Sequence, residues 1–364
     1  MNIIEKCGRV IDRFTTDGEC YECRTYGKGL INNTFMISCK TYDGRMIKYI
    51  LQAINTYVFK DPDRLMTNIV RVTEFLREKE PENRGILKML RTKNGENYYR
   101  DEDGKCWRMY VYVDKALSLE RVEHMEDFFE AAFAFGKFQH DLADFPADTL
   151  YKIIPDFHNT EKRYADFLEA VDNDIWGRAG GIKNEIDFIK SRADFYPLLN
   201  QKFKNGEIQL RVTHNDTKLN NVLLDKKTRK ALCVLDLDTI MPGFSVTDFG
   251  DAIRFGANTA AEDEKDLSKV SLDLNLFEVY TKGCLTGCDG SLNVEEIRLL
   301  PEGAKMMTIE CGMRFLTDYL NGDLYFKTSY PKHNLVRART QLKLVEDMEN
   351  KLDDMKEIIK KYCK

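Results

Sequence analysis

The feature that most constrains this 364-residue chain is a polar loop between apolar segments, at residues 213–221. Residues 208–212 predict a short strand, and the polar run that follows, THNDTKLNN, cannot continue it as a buried strand. Beyond the loop, two apolar runs at residues 222–224 and 231–235 flank a charged turn and predict a β-hairpin. The loop is therefore expected at the end of a strand, where its side chains are available for chemistry.

The predicted hairpin brings oxygen-bearing side chains together. If it folds back midway along its charged turn, arms of equal length place Asn221 opposite Asp236, beside Asp216. Strand alternation then puts Asp236 and Asp238 on one face. Carboxylates this close repel one another unless a cation lies among them, and an all-oxygen set of ligands suits Mg²⁺. The sequence therefore predicts that Asn221, Asp236 and Asp238 bind metal.

Such a layout is typical of phosphoryl-transfer sites, in which one Asp faces the attacking hydroxyl while an Asn and a second Asp hold metal on nucleotide phosphates. The pattern His-x-Asp-x-x-x-x-Asn, from His214 through Asp216 to Asn221, resembles the kinase-like fold of aminoglycoside phosphotransferases and choline kinases. The resemblance implies an α+β, bilobal protein-kinase-like fold, with a small β-rich amino-terminal lobe on an antiparallel sheet and a larger, mainly helical carboxy-terminal lobe. A hairpin with an Asn- and Asp-rich turn is the plainer alternative, because turns favour these residues.

Composition and charge argue against several other classes of protein. The chain is 43% hydrophobic and 32% charged, as soluble globular proteins are, and its length suits one large domain or two smaller ones. Its net charge of -5 argues against a nucleic-acid partner, which would want a basic face. No apolar run approaches the length that a bilayer requires, and residues 1–7 lack the apolar core of a signal peptide. We therefore expect a cytoplasmic protein without a membrane partner.

The ten cysteines are expected to stay reduced in that compartment. Cys20 and Cys23, like Cys284 and Cys288, have spacings that can bind zinc. The two pairs lie far apart in the sequence, however, and no nearby His completes a set of ligands. Ordinary thiols are therefore favoured over a metal centre.

A glycine loop in the amino-terminal part is a candidate nucleotide site. Strands are predicted at residues 21–26, 34–41 and 46–54. Between the first two, Gly27, Gly29 and Asn32 are predicted to meet the nucleotide, because glycine lets backbone N–H groups approach phosphate closely. Two glycines in a hairpin are also compatible with an ordinary turn.

The third of these strands carries Gln52 where kinases of this group place a lysine that pairs with phosphate. The phosphate site then lacks one fixed positive charge, which Lys28, Lys48 or a metal could supply. This departure keeps open the alternative of a catalytically silent nucleotide-binding protein.

Strands give way to helices after residues 110–114, and we place a boundary there. Residues 1–114 are predicted to form a nucleotide-binding lobe, and residues 115–364 a helical catalytic and substrate lobe. In the kinase-like fold this crossover strand is the hinge, so the resemblance implies that the backbone of Tyr112 and Val113 meets the adenine edge. An ordinary edge strand is the alternative. Helices are predicted over residues 2–14, 63–79, 123–142, 161–171, 183–199, 302–320 and 335–361.

The triplet DFG at residues 248–250 spells the metal-binding motif of protein kinases, but it does not follow the hairpin, whereas Asp236 does. Asp248 is instead predicted to cap a helix, with Asp251 as an anion in the first turn. In related kinases an Asp at such a helix start braces the catalytic loop. The resemblance therefore implies that Asp248 or Asp251 supports the loop from behind, and His214 of the motif is assigned the same kind of role.

Several segments also resemble N-acetylhexosamine 1-kinases, bacterial sugar kinases that phosphorylate the anomeric hydroxyl of N-acetylgalactosamine or N-acetylglucosamine. These segments are residues 29–35, 51–55, 156–160, 214–221, 235–239 and 314–320. The resemblance implies that Asp216 orients the sugar 1-hydroxyl and that Arg314 and Tyr325 line the sugar pocket. It also implies that Asn221 and Asp236 hold Mg²⁺ on ATP, with a sugar 1-phosphate and ADP as products.

Other interpretations of the acceptor side stay open. Glu310, Arg314 and Asp318 are spaced four residues apart, which by itself describes an exposed ion-pair ladder. A kinase for choline or an aminoglycoside would need an acidic or aromatic pocket, which Asp318, Asp323 and nearby tyrosines could form. His158 lies in a predicted loop that could line a cleft. The sugar's epimer, the need for an N-acetyl group, ATP against GTP and the oligomeric state are not determined by the sequence.

Overall fold

The amino-terminal part of the chain is built on a six-stranded antiparallel sheet. The computed structural model describes residues 3–27 and 31–363. The strands of this sheet are β1 (Glu19–Thr25), β2 (Asn33–Lys40), β3 (Met46–Ile54), β4 (Met89–Leu90), β5 (Tyr99–Arg100) and β6 (Cys106–Val111). They lie in the order β1-β2-β3-β6-β4, and β5 also pairs with β6. The predicted β-rich lobe is confirmed.

Two helices cover the sheet because it carries apolar side chains on both faces. On one side, α1 (Ile3–Ile11) packs against a cluster that contains Phe35, Ile37 and Trp107. On the other, the apolar stripe of α2 (Pro62–Lys79) lies in a cluster that continues into the helical part of the chain. This second cluster joins the two parts of the molecule around the loop at residues 213–221, the predicted catalytic loop.

After β6 the chain leaves this sheet. The remaining strands are β7 (Ala116–Ser118), β8 (Arg211–Thr213), β9 (Val222–Asp225), β10 (Ala231–Val234) and β11 (Met241–Gly243). Three of them form a sheet in the order β10-β9-β7, and β11 pairs with β8. β9 and β10 are antiparallel neighbours, so the predicted hairpin is confirmed. The proposed lobe boundary at residue 114 falls between the strands of these two sheets.

The register of the hairpin differs from the prediction. A bulge shifts the pairing, and the N–H of Leu235, rather than that of Asp236, donates to the Asn221 carbonyl at 2.8 Å. Asp236 has a φ of 55° and precedes a 3₁₀ turn, Leu237–Thr239. The prediction that Asp236 and Asp238 share one face of a strand is therefore wrong, because left-handed backbone at Asp236 ends the alternation.

The rest of the described chain is mainly helical, as predicted. The helices are α3 (Met125–Asp141), α4 (Thr160–Asn173), α5 (Lys183–Lys190), α6 (Leu198–Lys204), α7 (Ser245–Gly256), α8 (Leu274–Cys288), α9 (Val294–Arg298), α10 (Leu300–Leu320), α11 (His333–Asn350) and α12 (Leu352–Tyr362). A 3₁₀ turn divides the predicted helix at residues 183–199, and Lys351 divides the one at residues 335–361. Within the described residues, every helix is too short or too polar to cross a bilayer.

α3 packs closely against α8, and this packing positions α3, which contacts the catalytic loop. A Cβ atom on Gly136 would lie 2.2 Å from the carbonyl oxygen of Cys284, so only glycine allows this approach. On the other side of α3, the ring of Phe135 meets the imidazole of His214 edge-on, with 5.3 Å between ring centroids. The packing of two helices thus sets the position of a motif residue.

The cysteines differ from the expectation at one pair. Cys20 and Cys39 lie directly opposite each other on β1 and β2 and form a disulfide. The expectation that all cysteines are reduced is wrong for this pair, because the antiparallel register brings their side chains together. Cys23, Cys284 and Cys288 are free, and the last two are buried in α8.

Candidate active site

The catalytic loop connects β8 to β9, and side chains of the loop hold the carboxylate of Asp216 in place. The amide nitrogen of Asn221 donates to the carbonyl oxygen of Asp216 at 2.8 Å and to its Oδ2 at 3.0 Å. The other carboxylate oxygen, Oδ1, lies 2.7 Å from Nζ of Lys218. Although burial opposes its ammonium form, the carboxylate of Asp216 raises the pKa of Lys218. Asp216 is therefore an oriented, partly exposed carboxylate with a cation at its side.

Asp248 braces this loop from below. Its Oδ1 accepts the N–H of Asn215 at 2.7 Å, and its Oδ2 accepts the N–H of His214 at 2.8 Å and the amide of Gln139 at 3.0 Å. Burial raises the pKa of Asp248, while the N–H donors favour its carboxylate form. The prediction that Asp248 caps a helix is wrong, because α7 begins at Ser245 and places Asp248 inside its first turn.

His214 is a structural member of the loop and is buried. Its Nε2 lies 2.6 Å from the carbonyl oxygen of Leu235, so this nitrogen donates, and its Nδ1 accepts the N–H of Asp216 at 3.3 Å. The imidazole therefore connects the loop to the end of the hairpin. Asp251, one turn after Asp248, is paired with Arg254 at 2.8 Å. The prediction that it lies in the first turn is wrong, because α7 begins at Ser245 and Asp251 falls in its second turn. Burial opposes its charge, but Arg254 and Lys218 hold the pKa of Asp251 below its usual value.

Asp236 differs from Asp238 in exposure. Asp236 is exposed, whereas Asp238 is buried. Although part of the residue is open to solvent, the protein around Asp236 desolvates its carboxylate. This desolvation, together with the charges of Asp238 and Asp216, raises the pKa of Asp236 to about 6. Its left-handed backbone is a strained conformation of the kind that collects at functional sites. The positive groups of the protein therefore only partly compensate the negative charge around Asp236.

The donor set fits a hard divalent cation. Asn221 donates from its amide nitrogen to Asp216, which leaves its Oδ1 without a hydrogen-bond donor among the described residues. Together with the carboxylate of Asp236, it offers oxygen ligands, which Mg²⁺ prefers. A cation here would relieve the repulsion that raises the pKa of Asp236.

Asp238 makes different contacts from those expected of a metal ligand. Its Oδ2 accepts the amide of Asn32 at 2.6 Å, and its Oδ1 is paired with Arg108. Arg108 also donates from Nε to Oε1 of Gln52 at 2.9 Å. Both oxygens of Asp238 are therefore engaged by the amino-terminal part, and Arg108 is not among the residues predicted for the site.

The residues predicted to bind the nucleotide belong to the amino-terminal part and to the segment that follows β6. Gly27 has a φ of 73°, which favours glycine, while Gly29 and Lys28 lie outside the described residues. The N–H of Tyr112 donates to the carbonyl of Lys48 at 3.0 Å, so this donor is not free for adenine. The backbone of Val113 makes no hydrogen bond to a described residue. The hinge contact of this pair therefore stays a prediction for the carbonyl oxygen of Tyr112 and for the backbone of Val113.

On the acceptor side, His158 joins α10 to the catalytic loop. Its Nδ1 lies 3.0 Å from Oε1 of Glu310, and its Nε2 lies 3.3 Å from the carbonyl oxygen of Asn215. Both partners are acceptors, so the doubly protonated imidazolium satisfies both. Burial opposes this charge, but Glu310 raises the pKa of His158 above its usual value. Thr160 donates to the other oxygen of Glu310 at 2.7 Å.

The expected exposed ion-pair ladder on α10 is wrong, because Glu310 and Asp318 are buried. Asp318 accepts the backbone N–H groups of Tyr325 at 2.8 Å and Phe326 at 2.9 Å. Its carboxylate therefore shapes the loop that carries Tyr325, whose side chain is 71% exposed. The guanidinium of Arg314 lies over the Phe326 ring, 5.4 Å from its centroid.

The pair between His158 and Glu310 predicts a pH-dependent stability. Because the folded pKa of His158 is raised, its contribution is fully present below the ordinary value of 6.5 and is lost as pH rises through the folded pKa. We expect the stability advantage of the wild type over His158→Gln to shrink between pH 6 and pH 9, by on the order of 1 kcal/mol. Thermal melting across this range measures it. His124→Gln, at an exposed histidine, is the control, and a pH-independent advantage would contradict the assignment.

Comparisons with known proteins agree with this architecture. A family model described as "Phosphotransferase enzyme family" matches residues 22–270. A microcompartment-associated aminopropanol kinase is 13% identical and superimposes with a TM-score of 0.64, covering 97% of this chain and 98% of its own. The amicoumacin kinase hAmiN, solved with AMP-PNP, Ca²⁺ and Ami, is 10% identical with a TM-score of 0.57, covering 96% and 93%. Choline kinase from Cryptosporidium parvum Iowa II is 14% identical with a TM-score of 0.55, covering 97% and 96%.

Proposed function

The chain belongs to the phosphotransferase enzyme family, and from this premise we propose that it transfers the γ-phosphoryl group of ATP to a sugar hydroxyl. The acceptor we propose is the anomeric 1-hydroxyl of N-acetylgalactosamine or N-acetylglucosamine. The observation that carries the proposal is the carboxylate of Asp216, oriented by Asn221 and Lys218 on a loop that Asp248 braces. The products would be a sugar 1-phosphate and ADP.

In this proposal the protein works by alignment and charge rather than by covalent chemistry. Asp216 would accept the hydrogen bond of the acceptor hydroxyl and point its oxygen at the phosphorus atom. Lys218, held beside Asp216, would stabilise negative charge that develops at the transferred group. Bound Mg²⁺, held by Asn221 and Asp236, would supply neutralisation of the phosphate charge.

The charge of the acceptor side supports a neutral, hydroxyl-rich substrate. The nearby cations are Arg314, Arg163 and the imidazolium of His158. Burial, together with the charge of Arg314, lowers the pKa of Arg163, and the charge of Arg314 also opposes the imidazolium of His158. The two acids predicted to bind an ammonium group, Asp318 and Asp323, are already engaged by other groups of the protein. Asp318 accepts backbone and Asn334 donors, and Asp323 is paired with Arg178 at 2.7 Å.

Aromatic side chains near Arg314 suit the face of a sugar ring. The guanidinium lies 5.8 Å from the centroid of the Phe157 ring and 5.4 Å from that of Phe326. Tyr325 meets Phe326 edge-on at 4.8 Å and exposes most of its side chain. A pocket with a few polar groups among aromatic walls is the usual form of a small-ligand site.

An amino-alcohol kinase is the second candidate. It is favoured by the similarity in fold to the aminopropanol and choline kinases. The two candidates differ in the charge of the acceptor, so one assay separates them.

A substrate screen tests the proposal. The wild-type protein is incubated with ATP, Mg²⁺ and each of N-acetylgalactosamine, N-acetylglucosamine, galactose, choline, aminopropanol and an aminoglycoside, and ADP release is followed. We expect turnover with an N-acetylhexosamine at least tenfold above that with each amine. ³¹P NMR of the product should then show phosphate on the anomeric oxygen. Preferred turnover of an amine would replace the sugar assignment, and no turnover with any acceptor would favour a silent nucleotide-binding protein.

A further inference from the structure

We propose that Arg108 supplies the positive charge of the nucleotide phosphate site that a lysine at position 52 would otherwise provide. The inference rests on the proposed function, since it concerns a site for nucleotide phosphates. Gln52 would then orient this arginine, and its presence would not mean that the site has lost its positive charge. Arg108 is a positioning residue for the nucleotide, carried on a neighbouring strand.

The strand register places the two residues side by side. Gln52 on β3 is the direct cross-strand partner of Arg108 on β6, and Thr34 on β2 is the direct partner of Gln52. Direct partners in an antiparallel pair project to the same face of the sheet. A cation moved from β3 to β6 is therefore displaced by one strand spacing, about 5 Å. The long arginine side chain can span this distance.

Hydrogen bonds along this row hold the guanidinium in one orientation. The amide nitrogen of Gln52 donates to Oγ1 of Thr34 at 3.0 Å, which directs Oε1 of Gln52 towards β6. That oxygen accepts Nε of Arg108 at 2.9 Å. A lysine at position 52 could not accept this bond, so glutamine and arginine form a matched pair.

The guanidinium lies against Asp238, which is close in sequence to the proposed metal ligand Asp236. Arg108 pairs with Asp238, and their side chains are only 5% and 4% exposed. Asp238 is two residues after Asp236, whose charge also acts on Arg108. Nη2 of Arg108 makes no hydrogen bond to a described residue, so it keeps donors available. A buried guanidinium with an open edge, on which the charge of Asp236 also acts, is suited to hold a phosphate group of the nucleotide.

The other described lysines near the cleft are less suitable. Lys48 lies four residues before Gln52 on β3, about 13 Å away along the strand. Its ammonium group lies 5.8 Å from the ring centroid of Tyr112, at the predicted hinge. Lys218 pairs with Asp216 in the catalytic loop, where the proposed mechanism already assigns it to the transferred phosphoryl group. Of the two lysines that the sequence offered, Lys28 lies outside the described residues.

Comparing ADP with adenosine tests the role of Arg108, because only ADP carries phosphates. Dissociation constants for both ligands are measured by calorimetry with Mg²⁺ present, for wild type and Arg108→Met. We expect ADP to bind at least tenfold more weakly to Arg108→Met, and adenosine to change less than twofold. Lys48→Met is the control and should leave the ratio of the two constants unchanged. An arginine that only holds the fold together would weaken both ligands equally or neither.

Restoring a lysine gives the sharper test. The double variant Gln52→Lys, Arg108→Met places the cation back on β3 and should recover at least half of the lost ADP affinity on a logarithmic scale. Should Arg108→Met fail to fold with Asp238 unpaired, Arg108→Met combined with Asp238→Asn removes both charges and is measured against Asp238→Asn alone. If wild type binds ADP and the arginine variants bind it equally well, the role of Arg108 is overturned while the proposed function stands. If wild type binds neither ATP nor ADP, both fall.

Discussion

Replacing Asp216 by Asn is expected to lower kcat by about 10³-fold or more, while nucleotide affinity changes little. An amide has nearly the size of the carboxylate, so the loop can keep its shape. It cannot accept the hydroxyl proton, and it removes the charge that pairs with Lys218 at 2.7 Å. ADP release in the presence of the best acceptor gives kcat, and calorimetry with ATP and Mg²⁺ gives the nucleotide affinity.

The control for this variant is Asp144→Asn, at an exposed aspartate that pairs with Lys79 on the surface. It makes the same chemical change away from the loop and should keep full activity. Turnover above a tenth of the wild-type rate in Asp216→Asn would mean that another group orients the hydroxyl. Loss of nucleotide affinity in the same variant would mean that Asp216 holds the metal instead of the acceptor.

Replacing Asp248 by Ala is expected to cost stability and activity together. The substitution leaves the N–H groups of His214 and Asn215 and the amide of Gln139 without their acceptor in a buried place. Each stranded donor costs about 1 to 3 kcal/mol, so the free energy of unfolding should fall by about 3 kcal/mol or more. Activity should fall because the same N–H groups shape the loop that carries Asp216.

Urea unfolding of the unliganded protein measures the loss, and Asp266→Ala is its control. Asp266 is exposed and accepts from Ser268, so its replacement should cost less than 1 kcal/mol. Asp248→Asn, which keeps one acceptor oxygen, should lie between the wild type and Asp248→Ala. A change below 1 kcal/mol in Asp248→Ala would show that water replaces the carboxylate, and the bracing role would have to be abandoned.

The contact between the loop and the hairpin could be predicted from the sequence, because it depends on residues close together along the chain. A polar run between apolar runs predicted the loop and the hairpin, and Asn221 does bond Asp216 across five residues. The register of the hairpin strands could not be predicted, since a bulge and one left-handed residue, Asp236, changed the pairing. Such features depend on packing around the hairpin and leave no periodic signal.

An unused signal for Arg108 was present in the sequence. It is a charged residue inside the apolar strand CWRMYV, where alternation places it on the face opposite Trp107. An inward charge must find a partner, but the strand pattern does not say which acid that partner is. The loop position of His158 likewise does not indicate its partner, because Glu310 is 152 positions away along the chain.

The sequence by itself determined the elements, the catalytic loop and the kind of oxygen-rich site they form, because these follow from local periodicity and short spacings. Only the tertiary structure decided which acid faces the cleft and which is neutralised. Asp238 meets Arg108 from 130 residues away, whereas Asp236 keeps a carboxylate with a raised pKa. The physical reason is that a buried charge is stabilised by whichever opposite charge the fold brings within contact, and that contact is not encoded in the neighbouring residues.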